Sequence, residues 1–196
     1  FSFFEEEPLA AASLAQVHRA ILRENKEVVA VKVQRPRIRQ VIEPDLYILG
    51  RIAGQLHERM EWGKTYDLPK LVQEIRKTLL RELDFTREAR HMKICRNNFS
   101  EMEEVYIPRL YDDYCSEHVL TMELVQGIKM KDLGPGHDLD RELLARRGLR
   151  LTVKQVLEDG FFHADPHPGN VMILDGNVFC LMDWGMVGRL TRKMRY

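Results

Sequence analysis

Residues 163–185, HADPHPGNVMILDGNVFCLMDWG, carry the strongest signal in this sequence. Two prolines and a glycine lie within residues 161–170, which predicts a loop, and the residues that follow read as a hairpin around a glycine-containing turn. Asp165 and Asn170 fall on the loop, and Asp183 directly follows the hairpin. Carboxylate and amide oxygens that meet at one point hold Mg²⁺ against phosphates. The segment therefore predicts a phosphate site that includes Mg²⁺.

The order of chemical groups along the whole chain matches a protein kinase. Kinases place a catalytic Asp, an Asn five positions later, a short hairpin and an Asp-Phe-Gly in succession, and Asp183-Trp184-Gly185 takes the last place here. Val29-Ala30-Val31-Lys32 matches the strand whose Lys contacts phosphates and pairs with a helix Glu. The segment Met122, Glu123 and Leu124 ends a predicted strand before a loop, as at a kinase hinge. The alternative is that the loop residues only cap turns, but the complete order favours a kinase-like pair of lobes.

Hydrophobic patterns predict a small sheet with helices in the first half. The first twenty residues read as a strand, a tight loop and a second strand, and residues 28–33 read as a third strand. One helix is predicted to begin at Pro44 and to end near Arg59. A second runs from Pro69 to about Asn97 on an apolar set with a 3.6-residue period, with a break near Asp84-Phe85. Short strands are predicted between residues 105 and 124.

The second half begins after the one loop that is long enough to separate two lobes. Residues 139–159 are predicted to be helical, and the basic residues at the C-terminal end read as a solvated helix start rather than a membrane patch. We therefore predict an α/β (α+β), two-lobed protein-kinase-like fold, with an N-lobe at 1–126, a connector at 127–138 and a partial C-lobe at 139–196. The buried side of the predicted helix consists of Leu143, Leu144, Leu149, Leu151, Val153, Val156 and Leu157.

Composition excludes several classes of protein. The 196 residues are 44% hydrophobic and 31% charged, as in ordinary globular proteins, and 30 Lys plus Arg balance 30 Asp plus Glu. This balance gives no electrostatic case for nucleic acid as a partner. Three cysteines without a C-x-x-C pair argue against a disulfide framework and a zinc site. We expect a cytoplasmic protein, with peripheral attachment to a membrane left open.

Two long and unusual strings carry a resemblance to a known family. One is His163-Ala164-Asp165-Pro166-His167-Pro168-Gly169-Asn170, and the other is PLAAASLAQVH at residues 8–18. With both, the sequence resembles the UbiB/AarF family of atypical kinase-like proteins over residues 3–188. The resemblance implies a two-lobed kinase-like fold, binding of ATP or ADP with Mg²⁺, and a role in ubiquinone (coenzyme Q) biosynthesis.

The resemblance also assigns a nucleotide loop. Ala10, Ala11, Ala12 and Ser13 match the alanine-rich loop that replaces the glycine-rich loop of ordinary kinases. Alanine restricts the positive-φ conformations that glycine allows, so we expect phosphates to be positioned differently. A helix-forming run of alanines is the alternative for this segment. Lys32 matches the nucleotide lysine of the family.

Acidic and histidine residues match further family positions. Glu88 matches the helix Glu that pairs with the lysine, and Glu82 and Asp84 form a Glu-x-Asp motif that lies near the active site in the family. The spacing leaves open which of these three carboxylates reaches the lysine. His163 matches the His that braces a kinase catalytic loop. Ala164 replaces the usual Arg, which removes a docking site for an activation-loop phosphate.

In the phosphoryl-transfer interpretation each matched residue has one role. Lys32 holds phosphates, Glu88 orients Lys32, Asp165 positions the nucleophile or water, and Asn170 with Asp183 holds the metal. We expect an ATPase or a small-molecule or lipid phosphotransferase that supports ubiquinone biosynthesis. A lipid or quinone precursor and quinone-pathway enzymes are the expected partners, and nucleic acid is not.

Two other functions stay open at this point. One is a non-catalytic, nucleotide-sensing regulator of quinone-pathway enzymes, and the other is a metallohydrolase that uses His163, Asp165 and His167. The family's Lys-x-Gly-Gln motif is absent ahead of the alanine-rich loop, and eleven residues follow Gly185. We therefore expect a truncated kinase-like fold.

Overall fold

A computed structural model describes residues 1–134, 136–137 and 139–195, with the exception of the Lys64 side chain. The two residues Pro135 and Asp138 of the predicted connector thus lie outside the described residues. In chain order, the strands and helices are β1 (Phe3–Phe4), β2 (Ala10–Ala11), β3 (Ala15–Ile21), β4 (Val28–Gln34), α1 (Ile38–Arg59), α2 (Glu61–Thr65), α3 (Leu68–Glu82), α4 (Phe85–Asn98), β5 (Val105–Tyr106), β6 (Val119–Glu123), β7 (Ile128–Lys129), α5 (Arg141–Val153) with a π-helical turn (Lys154–Asp159), β8 (Phe161–His163), β9 (Val171–Leu174), β10 (Val178–Leu181), β11 (Val187–Arg189) and α6 (Arg192–Arg195).

An antiparallel sheet in the order β1–β3–β4–β6 forms the first part of the molecule, and β2 pairs with the same edge of β3 as β1 does. Val29 and Val31 of β4 are fully buried in a small cluster with Ala20 and Leu22, as expected for β-branched residues on a covered face of a sheet. The predicted strand at residues 28–33 is confirmed. The alternative of a helical alanine run is wrong, because Ala10 and Ala11 pair with β3 as a short strand.

Helix α1 begins six residues earlier than predicted, at Ile38 instead of Pro44. A proline inside a helix removes the hydrogen bond to the carbonyl four residues before it, here that of Gln40. Gln40 is exposed, so water can take the place of the missing donor. The break predicted near Asp84-Phe85 is confirmed, because α3 ends at Glu82 and α4 begins at Phe85.

A second sheet in the order β5–β10–β9–β7 carries the predicted hairpin, which is confirmed as β9 and β10. Gly176 and Asn177 adopt positive φ in its turn, where glycine and asparagine are best tolerated. Strand β5 comes from the predicted N-lobe and pairs in parallel with β10. The division into lobes at residues 127–138 stays a prediction.

Residues 161–170 are not a loop throughout, which corrects the sequence prediction. Strand β8 pairs with β11, with His163 opposite Val187, and Phe161 is buried against the core. The prolines do not interrupt this ladder because they follow it. The predicted helix over residues 139–159 forms as α5 and the π-helical turn, but only Leu144 and Leu151 of its predicted buried side are buried. Leu149, Val153 and Leu157 are exposed.

The hydrophobic core joins α4 to the second sheet. Met92 and Cys95 of α4, with Phe99 directly after it, belong to the same buried cluster as Ile173 and Trp184. Cys180 of β10 is also fully buried, and burial raises the pKa of its thiol to about 12. Within the part of the chain that the structure describes, no helix has both the length and the apolar character needed to cross a membrane.

Candidate active site

Lys32 lies between a buried carboxylate, Glu88, and an exposed one, Asp183. Its Nζ is 3.0 and 2.9 Å from the two carboxylate oxygens of Glu88, and 3.4 Å from Oδ1 of Asp183. The ammonium group also lies 5.3 Å from the ring centroid of Phe85, which supports a cation with its π face. The geometry therefore resolves the choice among the three acidic residues in favour of Glu88.

The local sequence explains why these groups meet. Strand β4 places Lys32 opposite Val17 and Leu120, so the lysine side chain starts from the middle of the first sheet. Asp84 caps α4 by accepting a hydrogen bond from the Thr86 N–H at 3.0 Å, a common way to begin a helix. One turn later, α4 presents Glu88 to the lysine.

The loop that carries Asp165 and Asn170 is held by His163, which is buried. Its Nδ1 accepts a hydrogen bond from the Asp165 N–H at 3.1 Å, so Nε2 carries the proton and donates to the Met182 carbonyl at 3.2 Å. The side-chain amide of Asn170 lies 3.4 Å from Oδ2 of Asp165. Both nitrogens of His163 are engaged in structural hydrogen bonds, which argues against His163 as a metal ligand and against the metallohydrolase alternative.

Trp184 anchors the segment that presents Asp183. The Trp184 side chain is fully buried, its indole N–H donates to the Leu181 carbonyl at 3.3 Å, and its own carbonyl accepts from His91 Nδ1 at 2.8 Å. Asp183 has φ +55°, a left-handed conformation that is uncommon outside glycine and often marks a functional position. This anchoring turns the Asp183 carboxylate toward Lys32.

One cavity of about 160 Å³, the cleft, contains the side chains of Lys32, Glu88, Asp165, Asn170 and Asp183 in its lining. Of the residues predicted from the sequence, the cleft brings together Ala12, Ser13, Lys32, Glu82, Glu88, Asp165, Asn170 and Asp183. It is also lined by Leu14, Ala15, Phe85, Gly185 and Met186, which were not among the site residues predicted from the sequence. Phe85 could have been found, because it follows the helix cap and precedes Glu88 by three residues, on the same face of the helix.

Other predicted residues lie outside the cleft lining. Ala10 and Ala11 form β2, so only the second half of the alanine-rich segment faces the cleft. Asp84 serves as the cap of α4, and His163 stands behind the loop. At the predicted hinge, Met122 is buried in β6, and Glu123 accepts hydrogen bonds from the Tyr106 hydroxyl and the Arg109 N–H. Leu124, which follows β6, packs against the core.

The electrostatic environment favours charged Lys32. Burial alone would lower its pKa, but the carboxylates of Glu88 and Asp183 outweigh burial and raise the pKa of Lys32 above its usual value. Burial raises the pKa of Glu88, and Lys32 opposes that rise. Burial, followed by the nearby charge of Asp183, also raises the pKa of Glu82. Among the described residues that line the cleft, the largely buried cation Lys32 thus lies with four carboxyl groups.

The oxygen donors of the cleft are better suited to binding Mg²⁺ together with phosphates than to binding a metal by protein side chains alone. Among the described residues, no three His, Cys, Asp or Glu side chains are arranged to hold a metal by themselves. Asp183, Asn170 and Asp165 offer carboxylate and amide oxygens on one side of the cleft. Mg²⁺ is usually held by one or two carboxylates together with phosphate and water oxygens, which fits this donor set.

Comparison with known proteins agrees with this geometry. The model of the ABC1 atypical kinase-like domain matches residues 1–196. The chain belongs to this ABC1 family. The probable protein kinase UbiB of Erwinia tasmaniensis is 39% identical over 199 residues, which cover 98% of this chain and 36% of the relative. Relatives of the same name from Pectobacterium carotovorum and Yersinia pestis are also 39% identical, and the chain again spans 36% of their length.

A solved structure supports the fold of this ABC1 family member. The complex of Rv3197 with erythromycin from Mycobacterium tuberculosis has a TM-score of 0.73 and 24% sequence identity, and the match covers 100% of this chain and 48% of that one. The predicted kinase-like α+β fold and the resemblance to the UbiB/AarF family are therefore confirmed.

Proposed function

We propose that this domain binds ATP or ADP with Mg²⁺ and works as an ATPase or as a small-molecule or lipid phosphotransferase that supports ubiquinone biosynthesis. The observation that carries the proposal is the position of Lys32, which contacts Glu88 and Asp183 in the same cleft as Asp165 and Asn170. The names of the relatives, probable protein kinase UbiB, support it. Cytoplasmic location with peripheral attachment to a membrane stays a prediction.

Each residue then has a chemical task. Glu88 fixes Lys32, whose ammonium group binds phosphate oxygens, and Asn170 with Asp183 binds Mg²⁺. Asp165 orients the attacking hydroxyl or water and accepts its proton. Bound nucleotide supplies the phosphoryl group, and the metal neutralises charge on its phosphates. Ala12 and Ser13 line the phosphate end of the cleft in place of glycines, so the backbone there has less freedom to approach phosphates closely.

Nucleotide binding is tested by thermal unfolding with ATP or ADP, with and without Mg²⁺, because a ligand that binds only the folded state raises its stability. We expect a Mg²⁺-dependent increase in Tm in the wild type that is lost in Asp183→Asn. Asp175→Asn, which removes an exposed carboxylate from the hairpin turn, is the matched control and keeps the shift. A folded wild type without any shift would contradict the proposal.

The size of the cleft favours a second candidate, a non-catalytic nucleotide sensor that acts on quinone-pathway enzymes. About 160 Å³ is small beside the roughly 300–1,000 Å³ of most ligand pockets, so a nucleotide must separate the walls of the cleft to enter. Such opening would change the shape of the domain. Turnover distinguishes the two functions: Asp165→Asn should abolish ATP hydrolysis with little change in nucleotide affinity in an enzyme, whereas a sensor shows no hydrolysis in the wild type.

A further inference from the structure

A second cavity, the basic pocket, opens next to the cleft and has a volume of about 680 Å³. It lies between the end of α3, the exposed side of α4, and two further parts of the chain. These are Ala164 and the segment from Gly185 through β11. Four arginines line it: Arg81, Arg87, Arg90 and Arg189. Its volume falls within the range of small-molecule sites.

The four guanidinium groups lack anionic partners among the residues that the structure describes. None of them takes part in an ion pair or a side-chain hydrogen bond there, and Arg189 only stacks over the Phe161 ring at 5.2 Å. Arginines elsewhere in the chain do find carboxylates, such as Arg146 with Glu142 and Arg150 with Glu104. Like charges that converge without partners repel each other, so an arrangement of this kind is stabilised by a bound anion.

The remaining lining residues define what else the ligand contacts. Glu82 is the one acidic side chain in the described lining, and Thr78 and His91 add polar groups. Burial lowers the pKa of His91, and Arg87, Arg189 and Arg90 lower it further, so His91 is neutral at pH 7 and adds no charge. The apolar side chains of the pocket are Ile94, Met186 and Val187.

The basic pocket is continuous with the cleft. Glu82, Gly185 and Met186 line both cavities, and Ala164, which lines the basic pocket, directly precedes Asp165. A ligand in the basic pocket can therefore place a hydroxyl group beside Asp165. The small side chain of Ala164 leaves this space open, where an ordinary kinase has an arginine side chain.

We propose that the basic pocket binds the phosphate or carboxylate group of a small molecule with an apolar portion, and that this molecule is the phosphoryl acceptor. The proposal rests on the proposed function for its second half. In that step, the acceptor hydroxyl oxygen forms a bond to the γ-phosphorus of ATP and the bond from that phosphorus to the β,γ-bridging oxygen breaks. The hydroxyl proton passes to Asp165, and ADP leaves. Arginine suits the recognition of the anionic group, because its planar fork donates two parallel hydrogen bonds to phosphate or carboxylate.

The binding test uses phenyl phosphate and phenylacetate as probes and isothermal titration calorimetry as the measurement. We expect both probes to bind the wild type. Arg87→Gln/Arg90→Gln should lower the affinity for phenyl phosphate at least about tenfold. Arg189→Gln tests the opposite wall of the pocket and should lower the affinity for phenyl phosphate by a smaller factor. The matched control, Arg141→Gln/Arg146→Gln, removes the same charge from exposed positions on α5 and leaves affinity unchanged.

Three results overturn the proposal: no probe binds a folded wild type, the basic-pocket variants bind as tightly as the control, or ATP with Mg²⁺ displaces the probe. The last result would place the anion in the cleft rather than in the basic pocket. Circular dichroism verifies that each variant is folded, and Arg87→Lys/Arg90→Lys keeps the charge if the glutamine variant unfolds. The lysine variant should bind more weakly than the wild type, because lysine lacks the fork.

Two further measurements complete the test. One distinguishes a lipid headgroup from a soluble phosphate ester as the source of the anion, and the other distinguishes failure of the anion site from failure of the proposed function. Vesicles of phosphatidylcholine with and without phosphatidic acid show whether the same arginines bind a lipid headgroup instead of a soluble phosphate ester. Nucleotide binding is measured on the same samples. Probe binding without any nucleotide binding would contradict the proposed function and the acceptor role, but it would support the anion site.

Discussion

The cleft and the basic pocket share a wall, yet their charges are organised in opposite ways. In the cleft, the cation Lys32 is surrounded by carboxylates, and its closest partner, Glu88, is buried. In the basic pocket, four arginines converge without an ionic partner among the described residues. Paired charges hold one another in place before any ligand arrives, whereas unpaired like charges cost stability and gain it from an anion. The comparison predicts opposite responses to mutation.

The largest effect on stability is expected from breaking the ion pair between Lys32 and Glu88 in the cleft. Lys32→Met leaves Glu88 buried without a counter-charge, which should lower the free energy of unfolding by about 3–5 kcal/mol. Urea denaturation measures this loss. Adding Glu88→Gln to Lys32→Met removes the uncompensated charge and should restore part of the stability.

An exposed ion pair serves as the control for Lys32. Arg146→Met disrupts the pair between Arg146 and Glu142 on the surface of α5, where both side chains are 76% exposed, and should change stability by less than about 1 kcal/mol. Equal losses for Lys32→Met and Arg146→Met would show that the buried pair does not organise the cleft.

The next effect concerns the support behind the cleft. His163→Leu leaves the Asp165 N–H and the Met182 carbonyl without their partner, so we expect a loss of about 2–3 kcal/mol and a smaller nucleotide-dependent shift in Tm. His118→Leu is the control, because the His118 side chain is exposed and, among the described residues, bonds only the Gln34 side chain. A His163 variant that unfolds like the His118 variant would mean that the loop is held by other contacts.

Substitutions of the arginines in the basic pocket should change stability in the opposite direction. Arg87→Gln/Arg90→Gln reduces repulsion in the basic pocket and should raise the free energy of unfolding by about 0.5 kcal/mol at low salt, with the gain lost near 0.5 M salt. Thermal unfolding at several salt concentrations measures the change. A loss of stability at low salt would show that these arginines already have stabilising partners, and the contrast between the two cavities would fail.

The sequence predicts the cleft far better than the basic pocket, and the reason is spacing. Asp165, Asn170 and Asp183 lie within nineteen residues, and their loop and hairpin bring them together with little help from the rest of the fold. Lys32 and Glu88 are farther apart, but each sits in a recognisable strand or helix. The roles of these residues stay predictions, although the structure places all five in one cleft.

The basic pocket depends on tertiary packing that no local pattern shows. Arg81 lies on α3, Arg87 and Arg90 lie on α4, and Arg189 lies on β11, which pairs with β8. The sequence predicts that Arg189 belongs to the solvated start of a helix. That prediction is wrong for Arg189, because the helix begins three residues later as α6. Strand β11 forms only because β8 is present to pair with it.

The periodicity of apolar residues predicts where helices form better than it predicts which of their side chains are buried. Helix α3 has the predicted apolar repeat, but none of its residues is buried, and Leu71 is 52% exposed. The period of 3.6 residues fixes which side chains share a face, whereas burial depends on the elements that pack against that face.

The smallest expected effect lies on the shared wall, at Glu82. The pKa of Glu82 is raised in the folded protein, by burial first and by the charge of Asp183 second, above its ordinary value of 4.5. A raised pKa means that the contribution of Glu82 to stability is fully present below pH 4.5 and is lost as the pH rises through the folded pKa. Glu82→Gln keeps the uncharged form at every pH.

We therefore expect Glu82→Gln to be more stable than the wild type at pH 7, by less than about 0.5 kcal/mol, because Glu82 is partly open to solvent. The difference should disappear below pH 4.5. Urea denaturation of both proteins between pH 4 and pH 8 measures it, and Glu74→Gln is the control, because Lys77 lowers the pKa of Glu74 and that variant should be no more stable than the wild type at pH 7. A Glu82→Gln gain that persists unchanged at pH 4 would mean that the wall between the two cavities is stabilised by packing and not by the loss of a charge.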